Sequence, residues 1–498
     1  MNAPSVLVIG GGVAGLAAGC YARMSGLRVH LLEHNRELGG VCTAWSREPY
    51  LVDGCLRWLI GGAPGGMFRR VYEELGIVPE LTMHTIETFA RIEDPIDGWS
   101  VAYTRDLQQL RAQLSALGPA DGDAVARLCD AAAHSSELHM PIDAPELASW
   151  RERLASLWQM RGMASTMLHF RGTLGSWLEQ HVRSPQLRAG LGALGDARMP
   201  AAFLPMVLGA LAAGQLQRPE GGTLALRNAL VHRFRELGGQ ATTEATVEQI
   251  LVAHGRAIGV QLADGTTLHA DAVVSAASAP ETLTRLLGGR PLDLAWTERL
   301  ERWPIFDAIA LVSVGVARQW PELDAQTIVR LRAPLQVGDV PLTWLPLEQF
   351  VGPPYAPPGH AVVQSILRSR WGYWSELGPR YGAAKQALTD TVITALDGRL
   401  PGLAAAVRMT DVATPLTFWR HARSWQGAYE GFLPTAENFG AHVPKVVPGI
   451  ANLWLAGQWV EPGGGIPPAL LSGRQAVQLL CAERGCAFTP DEDVAALR

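Results

Sequence analysis

The chain has 498 residues, a formal net charge of −5, and a composition that is 48% hydrophobic and 18% charged. A single small hydrophobic core cannot organise a chain of this length, so we expect two or more lobes. The hydrophobic content excludes a disordered protein, and the acidic balance disfavours a general nucleic-acid-binding protein. We therefore predict a globular protein without a nucleic-acid partner, whose oligomeric state the composition leaves open.

Cysteine usage and the chain start indicate the compartment. The six cysteines are scattered, and they form neither a CxxC pair nor a Cys/His zinc spacing. We predict reduced thiols, no metal site and a cytoplasmic location. A predicted strand begins close to Met1, which leaves no basic region or cleavage site typical of a signal peptide.

The first predicted elements are a strand, a glycine turn and a helix. The run SVLVI is typical of a buried parallel strand, and a helical pattern follows it. Between them Gly10, Gly12 and Gly15 form a G-x-G-x-x-G pattern. RVHLLE then predicts a second strand that ends in Glu33, which completes the βαβ setting of a dinucleotide-binding fingerprint.

Each position of this fingerprint has a physical role. Gly10 allows a tight turn, Gly12 allows a pyrophosphate to approach the backbone, and Gly15 lets the helix pack closely on the strand. The helix N-terminus offers free N–H groups and a positive dipole end to phosphates. The carboxylate of Glu33 can accept hydrogen bonds from ribose hydroxyls, which a purely structural turn does not explain. We therefore predict a dinucleotide site.

Two further glycine clusters follow. The doublet Gly39-Gly40 lies just beyond the second strand, where another backbone turn suits a cofactor longer than NAD. The segment GGAPGG, residues 61–66, contains Pro64 and is not followed by an acid-ended strand, so we predict a structural loop there. No other segment is typical of a separate NAD(P)-binding domain. We therefore expect any electron transfer to use the single cavity that holds the predicted dinucleotide.

Residues from about 67 to 240 are predicted to be mostly helical. TLALRNALVHRFRELGG is amphipathic, with Leu226, Leu230, Phe234 and Leu237 on one side. The uncharged stretch from Met199 to Leu216 is broken by two prolines and is too short to span a membrane. We predict a buried helix there, with a peripheral membrane contact as the alternative.

A strand and a hairpin follow. ATVEQILV predicts a strand, Asp264-Gly265 predicts a hairpin turn, and Ala272 to Ser275 predicts a buried strand. Residues from about 290 to 430 are rich in proline, tryptophan and β-like runs such as AIALVSVGV. We predict a substrate lobe there, built from a sheet with helices over it.

The tail repeats the strand, glycine loop and helix order of the chain start. NLWLAGQWVEPGGGIPPALLSGR predicts a strand from Leu453 to Ala456 and a helix opened by Pro467 and Pro468, because proline is favoured in the first turn of a helix. The N-terminus of this helix carries a partial positive charge. It can therefore face a cofactor ring that becomes more negative when the ring is reduced.

Together the head fingerprint, the glycine doublet, the Asp-Gly hairpin and the PGGG…SGR tail resemble a known group of enzymes. This is the phytoene desaturase, carotenoid isomerase and retinol saturase group of the FAD-dependent amine-oxidase-like superfamily. The resemblance covers most of the chain. It implies FAD, a hydrophobic polyene or prenyl-like substrate, and desaturation, saturation or isomerisation of carbon–carbon double bonds. VDGCLRWLIGG departs from the D-x-G-P-type turn of the carotenoid enzymes, so a smaller specialised metabolite is the alternative substrate.

The resemblance also implies the site residues, with the backbone of Val247 on the adenine. The implied cofactor-binding positions are Gly10, Gly12, Val13, Ala14, Gly15, Glu33, His34, Gly39, Gly40, Val41, Val247, Gly457, Gln458, Gly465 and Ile466. The candidates for the flavin face are Arg57, Trp58, His421, Tyr429 and Glu430, with ordinary packing as the alternative for each. No catalytic base is singled out. Cys42 follows the glycine doublet, but a small wall residue suffices there, so we predict non-covalent FAD.

The implied fold is α/β: a Rossmann-like FAD-binding domain of the amine-oxidase and GDP-dissociation-inhibitor type, assembled from discontinuous segments, with an α+β substrate lobe. We assign residues 1–66, 218–290 and 436–498 to the FAD-binding domain, and residues 67–217 and 291–435 to the substrate lobe. Two alternative functions stay open. One is a flavin amine oxidase. The other is a non-catalytic lipid or prenyl carrier, which the intact cofactor motifs disfavour.

Overall fold

The computed structural model describes residues 3–135, 141–159, 161–289, 294–323 and 326–490. The predicted domain boundary at residues 290 and 291 and the two chain ends lie outside these residues.

The strands are β1 (Ser5–Ile9), β2 (Arg28–Leu32), β3 (Ala44–Arg47), β4 (Tyr50–Asp53), β5 (Leu59–Ile60), β6 (Met83–Thr85), β7 (Thr88–Asp94), β8 (Trp99–Thr104), β9 (Leu216–Pro219), β10 (Gln240–Thr242), β11 (Val247–Ala253), β12 (Arg256–Leu262), β13 (Thr267–His269), β14 (Ala272–Ser275), β15 (Ala308–Val316), β16 (Gln326–Val337), β17 (Val340–Val351), β18 (Ala361–Ser369), β19 (Val407–Ala413) and β20 (Leu453–Leu455). The helices are α1 (Val13–Met24), α2 (Arg69–Glu74), α3 (Ile77–Glu80), α4 (Leu107–Leu117), α5 (Gly122–His134), α6 (Trp150–Gln159), α7 (Arg161–His169), α8 (Leu174–His181), α9 (Pro185–Gly192), α10 (Phe203–Ala212), α11 (Gly222–Glu236), α12 (Ala279–Glu281), α13 (Leu294–Arg302), α14 (Trp371–Ser375), α15 (Tyr381–Arg399), α16 (Leu403–Ala406), α17 (Pro415–Ala422) and α18 (Ile466–Arg484).

A parallel sheet organises the first lobe. Its strand order is β10-β2-β1-β14-β20, and every pairing in it is parallel. Strands of this kind are buried on both faces, which explains the continuous apolar runs of β1 and β14. Because the strands come from distant parts of the chain, the predicted assembly of a Rossmann-like lobe from discontinuous segments is confirmed. The predicted strands near residues 247, 272 and 453 also form, as does the β12–β13 hairpin.

The core of this lobe extends past the predicted boundary at residue 66. Val71, Tyr72 and Ile77 lie in the same buried cluster as Leu16 and Tyr21 of α1. Helices α2 and α3 therefore pack with the core of the parallel sheet. The amphipathic face predicted for α11 is buried in that cluster as well.

A mixed sheet of order β19-β15-β18-β17-β16-β7-β8 forms the second lobe. All nine residues of β15 are buried, and α15 packs against β15, β16 and β19. The predicted sheet with helices over it is confirmed for this region. The prediction of a mostly helical segment before residue 240 was wrong at β6, β7, β8 and β9. Strand β7 pairs in parallel with β16, so the early hairpin completes a sheet whose other strands come much later.

The stretch from Met199 to Leu216 contains α10 and the start of β9. Leu204, Leu208 and Leu211 are buried against neighbouring elements. The predicted buried helix is thereby confirmed. Among the described residues, none of the helices combines the length and the apolar character needed to cross a membrane.

Candidate functional site

A large cavity lies where the two lobes meet. Its volume is about 1670 Å³, which exceeds the roughly 300–1,000 Å³ typical of a site for one small molecule. The ends of β1 and β2 and the loop before α18 line one part of it, and side chains of α10 line another. This volume can accept a dinucleotide together with a second ligand.

Two glycines of the turn after β1 have different roles. Gly15 is required for packing, and Gly12 borders the cavity. A Cβ on Gly15 would lie 1.9 Å from the carbonyl oxygen of Gly10, so α1 packs on β1 only because Gly15 has no side chain. A Cβ on Gly12 would meet nothing closer than 3.8 Å, the distance to Gly40 Cα. Gly12 caps the N-terminus of α1 and borders the cavity. Gly12 therefore borders the cavity without a side chain, so a phosphate group in the cavity can approach its backbone.

Glu33 ties the glycine turn to the end of β2. Its carboxylate accepts hydrogen bonds from the backbone N–H of Gly11, at 2.6 Å, and of Asn35, at 2.7 Å. Burial raises the pKa of Glu33, and these backbone N–H groups oppose that rise. Two carboxylate oxygens offer about four acceptor sites, so Glu33 keeps capacity for the ribose hydroxyls that the sequence predicts there.

The cavity wall next to Glu33 holds two more predicted positions. His34 Nδ1 shares a hydrogen bond of 2.7 Å with Thr246 Oγ1. The carbonyl of Val247 accepts a hydrogen bond of 3.3 Å from Arg285, and all four residues line the cavity. Arg285 was not predicted from the sequence, because a single arginine outside a motif carries no local signal.

A hydrogen-bonded group fixes the opposite wall. Gln458 Nε2 donates to the carbonyl of Tyr429 at 3.2 Å, and the Tyr429 hydroxyl donates to the carbonyl of Cys55. Asp53 in turn accepts hydrogen bonds from the N–H groups of Cys55, at 3.1 Å, and Leu56, at 3.2 Å. The segment that starts at Cys55 is thus held in place by its close neighbour Asp53 and by Tyr429 from a distant part of the chain.

Arg57 presents a cation to the cavity. Its guanidinium lies 3.3 Å from Glu348, donates to Gln364 at 3.0 Å, and stands 5.0 Å from the Phe350 ring centroid. Its buried Nη1 has no hydrogen-bond partner among the described residues. Arg57 therefore lines the cavity with a guanidinium that Glu348 and Gln364 hold in place.

Glu430 borders the cavity next to the glycine loop before α18. A Cβ on Gly464 would lie 3.4 Å from Glu430 Cβ, which places the two residues side by side. Burial raises the pKa of Glu430 to about 7. Its carboxyl group can therefore release or take up a proton near neutral pH, which is the property a general base or acid requires.

The remaining wall is apolar and aromatic. Trp58 packs edge-on against Phe89, and Phe203 packs edge-on against Phe439. The apolar side chains of this wall are Trp58, Ile60, Met67, Phe68, Phe203, Met206, Val207, Ile366 and Phe439. A lining of this kind binds a hydrophobic ligand.

The structure brings most of the predicted site residues together. Those that line the cavity are Gly10, Gly12, Val13, Ala14, Glu33, His34, Gly39, Gly40, Val41, Val247, Gly457, Gln458, Gly465 and Ile466, with Arg57, Trp58, Tyr429 and Glu430. Gly15 does not line the cavity, and its lack of a side chain lets α1 pack on β1. His421 does not line the cavity, and its predicted place on the flavin face is corrected. Its ring contacts the amide of Asn35 at 2.8 Å, because α17 runs beside the loop after β2.

A strap of residues 141–148 lines the cavity and was missed. Arg474 Nη1 and Gln478 Nε2 each donate to Asp143 at 2.7 Å, and the N–H of Ala144 donates to Gln478 at 2.8 Å. Both partners lie on α18, in the last part of the described chain. The strap has no motif of its own, and its position depends on this tertiary contact.

Comparisons with known proteins agree with this geometry. The model of an NAD(P)-binding Rossmann-like domain family matches residues 8–75. A lycopene-forming phytoene desaturase of Pseudescherichia vulneris is 25% identical over 95% of this chain and 98% of its own. A chloroplastic prolycopene isomerase of an Oncidium hybrid cultivar is 24% identical over 96% of this chain and 84% of its own.

A solved structure shows the fold. The cyclohexylamine oxidase of Brevibacterium oxydans IH-35A superposes with a TM-score of 0.61 at 16% identity, over 97% of this chain and all of its own. The match to an NAD(P)-binding Rossmann-like family model implies a nucleotide cofactor. The predicted resemblance to the phytoene desaturase and carotenoid isomerase group, on an amine-oxidase-like fold, is thereby confirmed over nearly the whole chain.

Proposed function

We propose that this protein is an FAD-dependent oxidoreductase that acts on carbon–carbon bonds of a hydrophobic polyene or isoprenoid-like molecule. The observation that carries the proposal is the continuity of one cavity. Its lining joins the dinucleotide-type turn at Gly12 and Glu33 to the aromatic wall around Trp58 and Phe203. The desaturase and isomerase names of the relatives support the reaction class.

The residues present fit FAD. The part of the cavity that Gly12 borders would take the pyrophosphate, Glu33 the ribose, and the loop from Gly463 to Gly465 the ring end. A hydrogen bond with Cys55 and burial raise the pKa of Cys42 well above its ordinary value. A thiol that stays protonated is a poor nucleophile, which supports non-covalent binding.

Bound FAD would supply a two-electron acceptor or donor for hydride transfer. The apolar wall would hold the substrate and exclude water, so that a carbon–hydrogen bond stays close to the cofactor. Glu430 would take the second proton of a desaturation, or return one in a saturation, because its carboxyl group titrates near neutral pH.

The test is anaerobic addition of NADPH or NADH to one sample of the purified protein, and of detergent-dispersed phytoene to a second sample whose flavin is still oxidised. We expect a flavin absorbance band in the starting protein and a changed polyene spectrum after phytoene. Rapid bleaching by the nicotinamide would favour a saturase or a reduced-flavin isomerase. Its absence would favour a desaturase that passes electrons to oxygen or a quinone.

Two other results would contradict the proposal. Bleaching by simple amines, with no effect of phytoene, would identify an amine oxidase. A purified protein that is colourless and takes up no FAD would identify a lipid carrier.

Replacing Glu33 by Ala is expected to weaken FAD binding by about 1.5–3 kcal/mol, which is about 10–150-fold, because hydrogen bonds to a charged acceptor are lost. The variant removes both the ribose contact and the anchor for Gly11. Titration of the apoprotein with FAD measures the change. Glu37→Ala is the matched control, since Glu37 lies in the same loop and pairs with Arg227 at the surface. Unchanged FAD affinity in Glu33→Ala would remove Glu33 from the site.

A further inference from the structure

Two cysteines lie opposite each other at the open end of the hairpin that β3 and β4 form. These strands pair antiparallel, with Ala44 opposite Asp53. Two steps beyond this pair, the same register places Cys42 opposite Cys55. The sequence separates the two cysteines by twelve residues, so only the pairing of the strands brings them together.

The intervening pair shows that the register continues past the strands. The N–H of Gly54 donates to the carbonyl oxygen of Thr43 at 3.0 Å. A Cβ on Gly54 would lie 2.6 Å from that oxygen, so the absence of a side chain lets the two segments approach. The pair beyond a hydrogen-bonded pair is a non-hydrogen-bonded one, whose Cα atoms are about 4.5 Å apart. Because disulfides join Cα atoms roughly 4.4–6.8 Å apart, the backbone brings Cys42 and Cys55 within reach of a disulfide.

The two thiols differ in their access to the cavity. Both residues line it, and both thiols are free. Cys42 is buried, whereas Cys55 is half-buried. A hydrogen bond with the Cys55 thiol and burial raise the pKa of Cys42 well above its ordinary value. A small oxidant that enters the cavity therefore meets Cys55 first, with the Cys42 thiol in contact behind it.

We propose that Cys42 and Cys55 form a redox-active pair that hydrogen peroxide in the cavity converts reversibly into a disulfide. The Cys55 sulfur attacks the peroxide, so the O–O bond breaks, a sulfenic acid forms on Cys55 and water leaves. The Cys42 sulfur then attacks the Cys55 sulfur, so an S–S bond forms and a second water leaves. Two thiols lose two electrons in total, and one peroxide is reduced to two waters. A small thiol reverses the reaction by exchange.

The disulfide would act on the wall of the cavity. It would tie the segment that starts at Cys55 to the residue that precedes β3 by two positions. That segment places Arg57 and Trp58 on the cavity wall, so the bond would hold part of the wall rigid. On the proposed function, electrons passed to oxygen would leave as hydrogen peroxide in this cavity, and only this source of the oxidant rests on that function.

Peptide mapping of the purified protein after treatment with hydrogen peroxide tests the pair. Trypsin cleavage after Arg36, Arg47 and Arg57 leaves Cys42 and Cys55 in adjoining peptides with one cysteine each. We expect a cross-link between these two peptides and a loss of two of the six thiols of the chain. Dithiothreitol should restore both thiols. Because the readout uses neither substrate nor turnover, it is independent of the proposed chemistry.

Two variants serve as comparisons. In Cys42→Ser, dimedone should trap Cys55 as a sulfenic acid, and no cross-link should form, because the second sulfur is absent. Cys129→Ser is the matched control, since Cys129 is a buried thiol that does not line the cavity. Its yield of the cross-link should equal that of the wild type.

Four results would overturn the proposal. The first is that Cys42 and Cys55 both stay free thiols in peroxide. The second is oxidation of Cys55 in the wild type without a link to Cys42, which would show that the two sulfurs do not meet. The third is a cross-link between Cys481 and Cys486 alone, whose Sγ and carbonyl groups lie 3.7 Å apart outside the cavity. The fourth is a cross-link between two chains, which a non-reducing gel would reveal.

Discussion

Replacing Glu430 by Gln is expected to lower kcat about 10²–10⁴-fold in a desaturation, because the variant lacks the carboxylate that takes the second proton. The pKa of Glu430 is about 7, so the base form accumulates above that pH and is lost below it. The kcat/KM of the wild type should therefore rise with pH through about 7 and then level off. The variant should lack this rise. Steady-state turnover of phytoene across the pH range measures both effects.

Glu437→Gln is the matched control for this variant. Glu437 is an exposed carboxylate on the same stretch of chain, and it does not line the cavity. Its substitution should leave the pH profile of turnover unchanged. If Glu430→Gln keeps a wild-type rise in kcat/KM while binding a full complement of flavin, another group transfers the proton.

Replacing Gly12 by Val is expected to give a folded but colourless protein, with FAD affinity lowered roughly 100-fold or more by steric conflict with the bound pyrophosphate. The backbone of Gly12 has φ −68°, which any residue adopts. An added Cβ also meets no protein atom closer than 3.8 Å. The flavin-to-protein absorbance ratio and the Tm of the apoprotein together measure the outcome. A yellow, active Gly12→Val protein would refute the phosphate position.

Two other glycine substitutions serve as comparisons for Gly12→Val. Gly15→Ala should lower the Tm of the apoprotein itself, since its Cβ would lie 1.9 Å from a backbone oxygen. Gly382→Ala on α15 should change neither quantity, because an added Cβ there meets no atom within 4 Å. A Gly15→Ala protein with the wild-type Tm would show that α1 can move away from β1 at little cost.

The residues of the first lobe show what a sequence predicts well. Gly10, Gly12, Gly15 and Glu33 act through backbone geometry within one βαβ unit, so their spacing along the chain carries their roles. The placement of His421 on the flavin face failed for the opposite reason. Whether α17 meets the cavity or the loop after β2 depends on packing between the lobes, and no local pattern encodes that.

Two missed features differ in how they could have been found. The residues of β7 alternate between buried and half-buried positions, and the turn residues Asp94 to Gly98 follow, which is a signal of a hairpin. The sequence therefore contains a local signal for this hairpin, although β8 does not alternate. The strap of residues 141–148 had none, because its place is set by Arg474 and Gln478 of α18.

The order of the strands in the parallel sheet has a consequence for folding during synthesis on the ribosome. Strands β1 and β2 are made first, yet their sheet is completed by β14 and then β20. The loop from Gly463 to Gly465 and helix α18 emerge later still. A chain interrupted before β20 would expose one edge of β14 and lack a wall of the cavity. On the proposed function, we expect FAD to be retained only after synthesis has passed α18, so a truncated product should be both colourless and prone to aggregate.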